Sequence, residues 1–333
     1  MTGVTAMLVF VVLLAVAFDY VNGFHDTANA IATSVATRAL SPRQAILMAT
    51  AFNFIGAFAG TAVAKTIGSG LVDDQTTTLT IVAAALIGAI VWNLITWWLG
   101  LPSSSSHSLI GGLLGATIIA AGTSALNVPG IVNKVLIPML TSPLLGFAIA
   151  FAFMIVIYWV FRGSKRKPMA TRFRKAQVFS AAFMAFAHGS NDAQKTMGII
   201  TLALYSAGVL SSNTVPTWVI IVSATALSLG TAVGGWRIMR TMGQRVAKLE
   251  PVHGFAAETT AATIILTAAH FGMPVSTTQV IASAIMGVGS SQGVRGVRWG
   301  VARRILVAWV FTIPAAGIIA ALTWVVLSAL GAA

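Results

Sequence analysis

The 333-residue sequence has no cysteine, and only 8% of it is charged. Without cysteine there is no disulfide framework, no thioether-linked haem and no thiolate metal site. So little charge excludes an ordinary soluble domain, whose surface needs several times more ionic side chains. Acidic residues are scarcest, seven against 20 lysines and arginines. No HExxH spacing occurs, so a catalytic metal site has little support. No nucleophile–base arrangement is readable, which argues against a membrane enzyme, and the short alternating segments of a β-barrel are missing. What is present is apolar: 57% hydrophobic residues and a mean hydropathy of +0.90. Windows of about 20 apolar residues recur, each long enough to cross roughly 30 Å of hydrocarbon. The expected fold class is an all-α polytopic membrane protein, with the lipid bilayer as its surroundings. The net charge of +13 is clustered between apolar segments, so it reads as a topology signal and not as a nucleic-acid footprint.

Apolar segments lie at about 4–37, 45–66, 78–99, 104–122, 136–161, 176–205, 216–237, 254–270, 276–290 and 305–330. The first is too long, and too closely joined to a polar motif, for a cleaved signal peptide. The first and sixth are also too long for one straight crossing and carry polar motifs near their middles, which predicts a broken helix in each. Basic residues gather at Arg38/Arg43, 162–175, 237–248 and 295–304; the segments around 67–77, 122–135 and 206–215 hold only Lys134 as a base, with Asp73 and Asp74. Positive segments stay in the cytoplasm. This predicts both termini outside, a first half at 1–161, a basic cytoplasmic loop at 162–175 and a second half at 176–333. The third and fourth segments, and the short eighth and ninth, are expected to form two re-entrant helical hairpins.

The halves resemble each other. Gly23-Phe24-His25-Asp26 matches Gly189-Ser190-Asn191-Asp192 at an offset of 166, and "GLPSSSSHSLIGGLLGA" at 100–116 matches "GMPVSTTQVIASAIMGV" at 272–288 at an offset of 172. With the orientation above, the halves are inverted-topology repeats, a transporter arrangement with its site at the midplane.

The matched landmarks carry chemistry. Pro102 before Ser103–Ser106, and Pro274 before Ser276-Thr277-Thr278, are helix-start signals. A helix N-terminus offers free N–H groups and a positive dipole end, which suits an oxyanion. Ser104, Ser105, Ser106, Ser276, Thr277 and Thr278 add hydroxyl donors. Four of the seven acids, Asp19, Asp26, Asp192 and Glu258, fall inside apolar segments without basic neighbours except Lys195. Each costs roughly 2.5–3.5 kcal/mol at the bilayer centre, which implies a hydrated cavity, bound cations or protonation. Hydrogen phosphate has an O–H for a carboxylate to accept and sulfate has none, so the set favours phosphate. His25 matches Asn191, His107 matches Gln279, His188 matches Asn22, and Asn29 matches Lys195, so the halves differ chemically. His25 fits three readings: a proton carrier, a metal ligand or a neutral packing histidine.

At these residues the chain resembles the PiT family of inorganic phosphate transporters. "NGFHDTANA" is similar to that family's first signature, in the Phe-His version of proton-type bacterial members, where sodium-coupled members more often read Ala-Asn. "FAHGSNDAQKTMGI" is similar to its second signature, and "PSSSSH" and "PVSTTQ" to its paired hairpins. Gln279 departs from the histidine common there, and a long central cytoplasmic domain is missing. The resemblance implies symport of phosphate with H+ or Na+, in some members as a metal–phosphate complex, in the plasma membrane and as a homodimer. The family also includes sulfate permeases.

The expected function is therefore secondary symport of inorganic phosphate by alternating access, with no enzymatic activity and no bound cofactor. Asp26 and Asp192 accept the phosphate O–H or hold the coupling cation, Na+ included; the six tip hydroxyls hold phosphate oxygens; Asn29 and Lys195 flank them. Asp19, Glu258, Asn22, Asn191 and His25 are further coupling candidates, and Gly23 and Gly189 permit the helix breaks. The rivals are a sulfate or other oxyanion symporter and an anion-selective channel.

Overall fold

The structure, a computed structural model, describes residues 2–73 and 76–331. Asp74 lies outside them, and the side chains of Arg166 and Lys167 are likewise not described. The described residues fold into helices and turns, with two isolated β-bridges as their extended pairing. The helices run α1 (Thr2–Ala36), α2 (Pro42–Gly56), α3 (Ala62–Ser69), α4 (Leu79–Leu99), α5 (Ser105–Ala121), α6 (Val128–Ile131), α7 (Ile137–Val160), α8 (Arg166–Ser206), α9 (Thr217–Val233), α10 (Trp236–Arg240), α11 (Pro251–His270), α12 (Thr277–Ser290) and α13 (Trp299–Ala329). By length and composition α1, α4, the α6–α7 stretch and α13 are able to cross a membrane, as is the bent α9–α10 pair.

Several expectations are corrected. The first and sixth segments are not broken: α1 is one helix of 35 residues and α8 one of 41. Their motif glycines serve close packing instead. A Cβ on Gly23 would strike Leu227 O and the backbone at Gly230, and one on Gly189 would strike Asn53 O. The breaks fall one segment later. The second segment divides between α2 and α3, where Gln194 of α8 reaches in and accepts from Val63 N (2.8 Å) and Ala64 N (3.4 Å), so a side chain satisfies the opened first turn of α3. The seventh divides at Gly234 (φ 81°) and Gly235, bending the chain by 61°. Residues 166–175 are not a loop but the first turns of α8. Nothing between Met169 and Lys175 breaks a helix, and Phe173 anchors that stretch against Phe161 and Phe255. The basic Arg303 and Arg304 are likewise helical, within α13.

Matching features return along the chain. The hairpins turn at Gly100 (φ 65°) and Gly272 (φ 66°). Bridges join Val72 to Leu126 and Ala247 to Val297. A proline sits inside α7 at Pro143 and inside α13 at Pro314. The packing crosses between the halves: α1 lies against α9, α8 against α2, α5 against α13 and α7 against α12. Glycine and alanine at these crossings let backbones approach closely. Two alanine-rich buried clusters flank the polar centre.

Candidate functional site

Spacing along α1 explains how the centre is assembled. Asp19, Asn22, Asp26, Asn29, Thr33 and Thr37 follow one another at steps of three or four and make one polar stripe. All six are buried, so their partners come from other helices. On α8, His188, Asn191, Asp192 and Lys195 form the facing group, also buried.

Both hairpin tips reach this stripe. Each reverses at a left-handed glycine, passes through the proline and starts a new helix. Ser104 caps α5 by accepting from His107 N (3.2 Å), and Ser276 caps α12 by accepting from Gln279 N (3.2 Å). Two of the six hydroxyls named from sequence are thus engaged as caps. The others turn to the motifs. Ser105 Oγ lies 2.6 Å from Asn22 Oδ1 and 2.8 Å from Asp26 Oδ2. Lys195 Nζ donates to Ser106 Oγ and to Asp192 Oδ1. Asn29 Nδ2 donates to Thr278 Oγ1 (2.8 Å) and Thr277 Oγ1 (3.3 Å), and Thr277 Oγ1 donates to Asp192 Oδ2 (3.4 Å). The tips touch each other as well, Ser106 Oγ to Val275 O (3.4 Å) and Gln279 Nε2 to His107 Nδ1 (3.4 Å). Serine, threonine, asparagine, lysine and both motif aspartates therefore meet in one buried gap, closed on itself. The first-turn N–H groups of α5 and α12 have no intrahelical partner by helix geometry, so two positive helix ends face this gap.

The two histidines beside the aspartates are held differently. His25 Nδ1 lies 2.5 Å from Asp26 Oδ1, and its Nε2 meets Thr96 Oγ1 (3.0 Å) and Ser103 Oγ (3.3 Å). For His188 the hydrogen-bond chain assigns the proton. Thr231 Oγ1 donates to Leu227 O (2.9 Å), so it accepts from Asn53 Nδ2 (2.9 Å). Asn53 Oδ1 then faces His188 Nδ1 (3.1 Å), which must carry hydrogen. His188 Nε2 is left 3.3 Å from Asp192 Oδ2 with no hydrogen bond formed. A neutral ring would set a lone pair against a carboxylate there; a proton or cation removes the conflict. Donor atoms of Asp26, His188 and Asp192 all lie within 4.8 Å of one another. Two carboxylates and an imidazole with a free nitrogen fit a cation, with the unpartnered Asn191 Oδ1 as a further oxygen in the same motif.

Two of the predicted acids do not touch the hairpin tips. Asp19 is about 10 Å along α1 from Asp26 at 1.5 Å per residue. It lies beside Asn22 and Thr196, and near enough to Asp192 and Lys195 to feel both charges. Glu258 is on the other side, reached from Thr33. It accepts from Thr33 Oγ1, from Gln177 Nε2 (3.2 Å) and from Ser180 Oγ (2.5 Å), and Thr37 Oγ1 donates to Gln177 Oε1 (2.7 Å). Neither the Thr33–Gln177–Ser180 set nor Thr96, Asn53 and Thr231 was named from sequence, and Ser103 was named only as part of a helix start. The continuation of the α1 stripe to Thr33 and Thr37 was the one local signal available; the rest are ordinary helical hydroxyls and amides until the fold brings them in.

A model of the phosphate transporter family matches residues 22–171 and 162–320. A Bacillus subtilis protein named "Probable low-affinity inorganic phosphate transporter" is 47% identical over 323 residues, covering 96% of this chain and 97% of that one. A Rhizobium meliloti protein of the same name is 46% identical, covering 96% of each. A solved structure described as "The sodium-dependent phosphate transporter" superposes with a TM-score of 0.89 at 25% identity, covering 97% of this chain and 99% of that one. These relatives are transporters by name and not enzymes.

Proposed function

The chain belongs to the phosphate transporter family, and from that membership and the geometry of the buried gap we propose that it is a secondary symporter of inorganic phosphate, working by alternating access. The observation that carries the reading is the meeting of two capped helix N-termini with Asp26, Asp192 and Lys195. The tip hydroxyls and first-turn amides supply donors for phosphate oxygens, and an aspartate supplies the acceptor for the phosphate O–H. Two carboxylates, Asp26 and Asp192, stand against one amine, Lys195, in this site. An anion enters such a site only if positive charge comes with it, because like charges a few ångströms apart in a buried site repel by several kcal/mol. Coupling to a cation is therefore a condition of binding.

A proton is the ion these partners favour. Asp26 spends one oxygen on His25 and the other on Ser105, and Asp192 spends one on Lys195. The remaining oxygen, Asp192 Oδ2, lies 3.3 Å from His188 Nε2 and 3.4 Å from Thr277 Oγ1, a spacing that a single hydrogen bridges without reorganising the site. The second reading is co-transport of a metal–phosphate complex, which the Asp26–His188–Asp192 cluster supports. We place the protein in the plasma membrane as inverted repeats, as a homodimer, with the basic stretches in the cytoplasm and both termini outside.

The test is uptake of labelled phosphate into proteoliposomes under imposed pH or sodium gradients. The parent should respond to the pH gradient. Asp26→Asn and Asp192→Asn should lower driven uptake by about a hundredfold, the size expected for losing a charged hydrogen-bond partner worth roughly 3 kcal/mol. Normal coupled uptake by both variants would remove these acids from the mechanism. A sodium-only response would replace the ion, uptake that needs added Mn2+ or Mg2+ would favour the metal complex, and sulfate outcompeting phosphate would replace the substrate.

A further inference from the structure

A groove of about 620 Å³ runs between α4 and the first half of α13. Its α13 side is one helical face, Gly300, Arg303, Arg304, Val307, Ala308 and Phe311, at steps that keep them in line. Its α4 side offers Trp92, Thr96 and Leu99, with Leu101 beyond the helix end. The chemistry is graded along the length. At the start of α13 stand Arg303 and Arg304, both exposed and without an ion pair or hydrogen bond among the described residues. Further along α13 the trough is apolar, through Val307 to Phe311, and the outward residues Val310 and Phe311 are strongly exposed. An exposed Trp299 sits at the basic end, where aromatic residues mark the headgroup level.

The nearby helix end does not compete for these cations. The α4 terminal carbonyls Trp98 O and Gly100 O are already taken by Arg237 (2.6 Å) and Thr241 (2.9 Å). Arg237 also stacks on the Trp98 ring at 4.4 Å, which adds a third positive group to the same end. The corresponding positions of the other half, found through the matched prolines 143 and 314, carry Val132 and Asn133 in place of the two arginines. The paired charge is thus a property of one end of one half, and repeat symmetry does not account for it.

We propose that this groove binds an anionic phospholipid, its phosphate between Arg303 and Arg304 and an acyl chain along the Val307–Phe311 trough. Two free guanidinium groups at headgroup level match a lipid phosphate, and the uncharged apolar continuation matches the chain. The occupant belongs to the leaflet on the side of the 295–304 stretch, cytoplasmic in the orientation proposed above. The groove's floor residue Thr96 bonds His25, and Trp309 Nε1 of α13 donates to Pro102 O (3.0 Å) at the first tip, so the bound lipid would back the wall of the transport site.

The test uses the full chain, purified in detergent, stripped of lipid and offered phosphatidylglycerol or phosphatidylcholine, with the retained lipid counted by native mass spectrometry. The parent should prefer phosphatidylglycerol by on the order of tenfold. Arg303→Gln with Arg304→Gln should abolish the preference, and Val307→Trp, which leaves the arginines in place and fills the trough, should reduce retention of phosphatidylglycerol. Arg172→Gln with Arg174→Gln, at exposed positions of α8, should keep it. Unchanged preference in the Arg303/Arg304 variant would overturn the proposal. So would displacement of the lipid by millimolar inorganic phosphate with no effect of Val307→Trp, which would mean that the arginines hold a soluble anion. Phosphate uptake is not the readout, so failure here leaves the transport reading standing.

Discussion

At the level of single residues, the centre is governed by charges that share partners. Lys195 serves both Asp192 and Ser106, and all three are buried. Removing one member of a buried pair leaves the other uncompensated, at a cost of about 3–5 kcal/mol. Lys195→Met should therefore lower the thermal melting midpoint of the detergent-purified protein strongly, and Lys195→Met combined with Asp192→Asn should recover part of the loss. A double variant no more stable than Lys195→Met alone would show that the two groups do not interact. Glu258 tests a different arrangement, since three donors converge on it. Glu258→Ala strands Thr33, Gln177 and Ser180, at about 1–3 kcal/mol for each buried donor left unmet, and its melting midpoint should fall below that of Glu258→Gln, which keeps an acceptor oxygen. Equal midpoints for the two would mean that the donors find other partners.

Among the helices, the glycines carry the instructive error. Gly23 and Gly189 were expected to break α1 and α8, because glycine permits chain reversal. The same missing side chain also permits close approach, and here it does so: Gly23 lies against α9 and Gly189 against α2. From sequence the two uses look alike, since the deciding neighbours, Leu227 and Asn53, are more than a hundred residues away. Gly23→Ala and Gly189→Ala should each destabilise by about 1–3 kcal/mol or more, since the contact is rigid backbone. Gly163→Ala, with open space around it, should stay within about 0.5 kcal/mol. Melting midpoints of the three variants decide this, and a tolerated Gly23→Ala would show that the contact with α9 is not tight. The helix starts at the hairpin tips, by contrast, were legible. Pro102 and Pro274 followed by hydroxyl residues announce a capped helix start, and both serine caps occur there; the left-handed glycines that reverse the chain, Gly100 and Gly272, emerge only in the fold.

Across the whole molecule the halves interlock. Since α1 packs on α9, α2 on α8, α5 on α13 and α7 on α12, neither half keeps its buried face without the other. Residues 1–161 expressed alone should give no monodisperse, cooperatively melting protein in detergent, and co-expression with residues 162–333 should restore one. A stable, folded 1–161 fragment would mean that this half is a self-sufficient domain. The gap between the tips shares this dependence, because Asn29 meets Thr277 and Thr278 while Lys195 meets Ser106.

Local information in this chain lies in run length, periodicity and turn chemistry. Those suffice for the helical membrane class and for the two capped helix starts after Pro102 and Pro274. They suffice because each depends on neighbours within a few turns of helix. Partner choice is another matter: which helix a glycine touches, which hydroxyl meets which acid, which histidine nitrogen holds the proton. Those follow from close packing between segments far apart in the chain, where backbone clearance of an ångström and one shared hydrogen decide the outcome, and only the folded arrangement supplies them.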